Sequence, residues 1–111
     1  MSGEDLGSHE LHAEQLRTRV AASGLTAQEL RLAVLSSAAG GAEIREPYGA
    51  LVRQINEDSS RVTDAQVGAV REAAGSDKAA FELIFTAAIG AGLDRWDAAH
   101  QAITEATDAA R

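Results

Sequence analysis

Cysteine is missing from the chain, and that one absence removes disulfides, thiolate nucleophiles and sulfur-ligated metals together. Lysine occurs once, as Lys78, and the arginines are scattered through a chain whose formal net charge is -7. Nucleic-acid affinity rests on clustered cations that release counterions from phosphates, so no nucleic-acid partner is expected. No segment approaches the roughly 20 apolar residues that cross a bilayer. The opening residues also lack the basic-then-apolar order of a secretory signal, so no membrane contact and a cytoplasmic location are expected. Aromatics are only 4% of residues and proline occurs once. A core must therefore be built from Leu, Ile, Val and close-packed Ala, which implies closely approaching helices.

What is present suits that core. With 45% hydrophobic and 24% charged residues over 111 positions, the chain is expected to form one helical domain over 1–111, with the polar, glycine-bearing residues 1–7 disordered. Leu11, Leu16 and Val20 form a loose helical stripe that Gly24 is placed to end. Thr26 followed by Glu29 has the spacing of a capping box, with Leu25 and Leu30 as its hydrophobic staple, and predicts a helix over 27–39. Pro47 suits the first turn of a third helix, whose Tyr48, Leu51, Val52 and Ile55 recur on one face. Val62, Thr63, Gln66 and Val67 repeat the staple-and-box pattern and predict a fourth helix over 64–74, closed by Gly75. The polar residues 56–61 lack the spacing of a calcium loop and read as a helix end.

A last helix is expected over 77–106. At about 100° per residue, Phe81, Ile84, Phe85, Ala88, Ile89, Gly92, Leu93, Trp96, Ala99 and Ile103 fall in one broad arc, which is expected to be the core face. Gly90 and Gly92 lower helix propensity there but admit a neighbouring helix. No segment alternates like a strand, so the fold class is all-α: a compact bundle of about five helices with a long C-terminal core helix.

The segments VTDAQVGAVREAAG (62–75) and AAFELIFTAAIGAGLDRW (79–96) resemble the carboxymuconolactone decarboxylase and alkylhydroperoxidase-D-like family, in the C-terminal helical part of its domain. The likeness extends over roughly residues 25–103 and rests on the Val62–Thr63–Asp64 cap, the Gly75 stop, the Phe81–Glu82–Leu83 start and the small-residue run 87–92. It implies an all-helical subunit that packs into homo-oligomers, trimers or hexamers. The peroxidase branch of the family places a Cys-x-x-Cys, with a His four residues later, ahead of a Gly-Leu-Ser/Thr cap. Taking Gly24–Leu25–Thr26 as that cap puts His9 and His12 at the cysteine positions and Leu16 at the histidine position, so thiol peroxidase chemistry has no thiol to work with.

No set of reactive side chains defines a substrate. Glu82 and His100 are the catalytic candidates, as an acid and base at the edge of the last helix, although about 27 Å of helix separates them within one chain. The bland reading of Glu82 is an ion pair with Lys78 or with an arginine of another helix. His9 and His12 lie on one helical turn and are candidate metal ligands, against the simpler reading of two solvated histidines. Tyr48, Phe81, Phe85, Arg95 and Trp96 are candidates for a binding or subunit surface, since aromatics and arginine concentrate in such surfaces. No cofactor is expected. The expected function is a non-redox oligomeric binding or assembly protein with room for a small-molecule ligand; the alternative is a metal-free acid-base enzyme acting on a small carboxylated substrate.

Overall fold

In the computed structural model the backbone is described for residues 3–110, and the side chains for 10–20 and 22–110. Five helices follow one another, with no strand among the described residues: α1 (Gly3–Ala22), α2 (Gln28–Ala38), α3 (Tyr48–Asp58), α4 (Asp64–Ala74) and α5 (Asp77–Ala109). A 3-10 turn, Ser59–Arg61, links α3 to α4. Of residues 1–7, expected to be disordered, Met1 and Ser2 lie outside the described residues, and from Gly3 the backbone is helical.

Local chemistry sets most of these boundaries. At α4 the capping box forms in both directions: Gln66 N–H donates to Thr63 Oγ1 at 3.1 Å, and Thr63 N–H donates to Gln66 Oε1 at 2.9 Å. Gly75, with φ of 96°, ends that helix in the left-handed conformation. Ser76 then caps α5 by accepting from Ala79 N–H at 3.1 Å. Pro47 precedes α3, and Glu46 beside it accepts from Ala50 N–H at 2.8 Å. Asp58 accepts from Ser60 N–H at 3.0 Å, so the polar stretch after α3 is a helix end.

Two expected caps are not formed. Thr26 and Glu29 make no capping box; α2 begins at Gln28 without a side-chain cap, because the Thr26 hydroxyl donates to Glu82 of α5. Gly24 is not left-handed either. It is needed for space: a Cβ there would stand 2.3 Å from Glu82 Oε1 and 2.9 Å from the Arg31 side chain.

The core joins Val34 and Ala38 of α2, Tyr48, Leu51, Val52 and Ile55 of α3, Val70 of α4, and Ala80, Leu83, Ala87 and Ala91 of α5. The face expected of α3 is thus its buried face. On α5 the outcome is the reverse of the expectation. Its buried residues are Ala79, Ala80, Leu83, Thr86, Ala87, Gly90, Ala91 and Leu93, whereas Phe81, Phe85, Ala88, Gly92, Ala99 and Ile103 of the expected core arc are exposed. Leu93 alone of that arc is buried, with Ile84, Ile89 and Trp96 half-buried. The cause is close packing against α2: a Cβ on Gly90 would lie 2.6 Å from Leu35 O and 2.8 Å from Ala38 Cβ, so the backbones approach over the small-residue face. A Cβ on Gly92, two residues on, would meet nothing within 4 Å.

Helix α5 sets the shape of the molecule. Its 33 residues span about 50 Å, matching the longest dimension of 53 Å, and beyond Trp96 every described residue except His100 is exposed. Among the described side chains of α1 only Ala13 is buried.

Candidate functional site

Three features concentrate the chemistry of the chain: a polar hub at the α1–α2 elbow, an ionic latch between α1 and α5, and the outward apolar face of α5.

The hub is centred on Glu82. Its Oε2 accepts from Leu25 N–H at 2.6 Å, and its Oε1 accepts from Thr26 N–H at 3.2 Å and from the Thr26 hydroxyl at 2.7 Å. Arg31 of α2 stands 3.7 Å from the same carboxylate. Arg31 is 4% exposed; its Nε donates to Val20 O at 2.9 Å, near the C-terminal end of α1, and its Nη1 donates to Thr26 O. The elbow therefore has its donors met by a carboxylate and its acceptors met by a cation. Burial pushes the Glu82 pKa up, but the bonds from Thr26 and Leu25, with Arg31 nearby, outweigh it and leave the carboxyl below its ordinary value. Such a group is held ionised with its lone pairs engaged, which is poor preparation for accepting a proton from a substrate. The hydroxyl of buried Thr86 donates to Glu82 O at 2.7 Å within the helix.

The latch lies one face away. Arg17 of α1 pairs with Asp97 of α5 at 2.8 Å and also bonds Glu14 on its own helix. His100 Nε2 lies 2.9 Å from Glu10, and its ring stacks on Trp96 with centroids 5.1 Å apart and planes 10° from parallel. His100 and Glu82 thus serve separate clusters. His12 is exposed, and the His9 side chain lies outside the described residues; no group of three metal-ligating residue types gathers among the described ones.

The third feature is the outward face of α5. Phe81 and Phe85, the only phenylalanines in the chain, are 67% and 58% exposed and stack on each other with centroids 6.0 Å apart. They border an open groove of about 640 Å³ that Val20, Leu25 and Ile89 also line, with Lys78 and Glu82 among its polar residues. A second groove of about 350 Å³, between His12, Ala13 and Leu16 of α1 and Gly92, Leu93 and Trp96 of α5, shares Ile89 with the first. The two form one slot along α5 with α1 as its wall.

Of the residues expected at a binding surface, Phe81, Phe85 and Trp96 lie along this slot. Arg95 is exposed but donates to Asn56 O at 3.0 Å, toward the end of α3. Tyr48 is a correction: at 4% exposure it belongs to the core, with Arg45 5.3 Å from its ring centroid on the outer side. Arg31 is the arginine of another helix that the sequence allowed for Glu82, and its place has a local signal: Arg31, Val34, Leu35 and Ala38 are spaced as one helical face, and all four are buried. Compared with family models, curated proteins and solved structures, the chain matches none of them.

Proposed function

We propose that the chain is a non-redox, homo-oligomeric assembly or binding subunit of the alkylhydroperoxidase-D-like kind, and that it associates through the outward face of α5. The observation that carries this reading is a helix with two opposed apolar faces, one filled by α2, α3 and α4 and the other bearing two stacked, exposed phenylalanines. A helix apolar on both sides is ordinarily enclosed on both sides, and exposed aromatics grouped in one patch mark contact surfaces.

Surface area supports the same reading. The chain exposes 7113 Å², whereas a folded monomer of 11.6 kDa exposes about 5,800 Å². The surplus exceeds the roughly 800 Å² that each partner contributes to a standard interface. An acid-base role for Glu82 draws no comparable support, because both of its oxygens are occupied in fixing the elbow.

Light scattering after gel filtration tests the proposal. At tens of micromolar the wild type is expected at a multiple of the chain mass. Phe81→Ser with Phe85→Ser should weaken association by about 2 kcal/mol per ring, about thirtyfold each, with helical content unchanged. A wild-type chain that stays monomeric at high concentration would falsify the reading.

A further inference from the structure

The outward face of α5 has a symmetry that specifies its occupant. Phe81, Phe85, Ala88, Gly92, Trp96, Ala99 and Ile103 recur so that residues eleven apart share a line: 81 with 92 and 103, 85 with 96, 88 with 99. An eleven-residue period is about 3.67 residues per turn, so the stripe stays nearly straight along the helix. About Gly92 the positions mirror one another, Ala88 with Trp96, Phe85 with Ala99 and Phe81 with Ile103.

We infer that the slot is filled by a second copy of this chain, its α5 lying antiparallel to the first across a two-fold axis at Gly92. This inference rests on the self-association proposed above and adds the partner element, its direction and its register. In that register Gly92 faces Gly92, where open space around the Cα leaves room for two backbones to meet. Trp96 of each copy faces Ala88, and Phe85 faces Ala99, so every large side chain near the centre meets a small one. At the ends Phe81 faces Ile103.

A parallel pairing would set Trp96 on Trp96 and Phe85 on Phe85 while leaving Ala88 and Ala99 opposite themselves, a combination of collisions and voids that packed interfaces avoid. A two-fold axis requires only that one patch complement itself, and this patch does. Charge agrees with the direction. Lys78, exposed and in no ion pair among the described residues, comes opposite position 106, beside the partner's Glu105. On the other flank α1, with Ala13, Leu16 and Val20 along the grooves, walls the slot, so two copies bring α1 and α5 of each into one four-helix layer.

The absence of cysteine makes the test clean. Single substitutions Gly92→Cys and Ile103→Cys are oxidised at concentrations where the wild type is associated. Only sites whose Cα atoms come within about 7 Å are bridged readily, and the two copies of position 103 would be about 33 Å apart along the helices. The expected result is about tenfold more covalent dimer for Gly92→Cys than for Ile103→Cys, the gain that a high effective concentration gives to a paired site. A short bis-maleimide should join Phe81→Cys to Ile103→Cys in a mixture of the two variants and neither to itself, which keeps the register testable without altering Gly92. Wild-type association combined with self-linking of Ile103→Cys would overturn the antiparallel register and leave self-association standing. A monomeric wild type would remove both, leaving the slot to a helix from a different protein.

Discussion

Glu82 and Arg31 hold the elbow as a complementary pair, the carboxylate meeting the backbone donors of Leu25 and Thr26 and the guanidinium meeting the acceptors of Val20 and Thr26. Removing Glu82 takes the carboxylate from the backbone donors of Leu25 and Thr26 and from the buried Arg31 beside it. Glu82→Ala is expected to cost about 2–3 kcal/mol, and Glu82→Gln, which keeps one acceptor but not the charge, about half as much; urea unfolding measures both. The pH dependence has a definite sign. A carboxyl held below its ordinary value of 4.5 contributes stability that is fully present above that value and is lost as pH falls through the folded-state value. As pH falls below 4.5 and through the lowered folded-state value, the wild type should therefore lose stability that Glu82→Gln does not. Equal acid sensitivity in the two proteins would show that this carboxylate is not held as described. The sequence allowed Glu82 an arginine of another helix, and Arg31 stands there, but its backbone partners Leu25 and Thr26 had no local signal because they lie 57 and 56 residues away.

At the scale of elements, most of what is written locally was legible, the Thr26–Glu29 box and the Gly24 stop being the exceptions. The α4 capping box, the Gly75 stop, the α3 face and the order of five helices all follow from side chains near the features they set. What stayed illegible was the choice between two apolar faces of α5. Periodicity reports that a face is apolar, not which neighbour covers it, and the larger side chains drew the expectation to the wrong side. Packing against α2 selected the smaller residues because only they admit its backbone. The two glycines separate these roles. Gly90→Ala should destabilise the fold, since the added carbon would meet Leu35 O at 2.6 Å. Gly92→Ala should stabilise the dissociated chain by up to about 1 kcal/mol through helix propensity, while weakening association. Thermal melts at low and high protein concentration distinguish the effects, and matching shifts for both glycines would contradict the assignment of faces.

At the scale of the whole molecule, α1 and the body of the domain differ in how they are held. The body shares an apolar core; α1 contributes one buried alanine among its described side chains and is held by Arg17–Asp97, His100–Glu10 and the bond from Arg31 to Val20 O. Exposed ion pairs weaken with ionic strength, as screening lengths fall to about 3 Å at 1 M salt. Hydrogen exchange should accordingly be faster in α1 than in the core-facing part of α5, and salt should widen the gap. Equal protection in the two helices would refute this picture.

The Glu82 clasp on the elbow also bears on the order in which structure forms. It joins residues 57 apart, from near the end of the first helix to the start of the last, so its closure must absorb the loop entropy of the intervening chain. Helices α2, α3 and α4 have nearer neighbours in sequence and need not wait for it. Helix α1 is thus settled in place only once α5 has brought the Glu82 carboxylate back to the elbow.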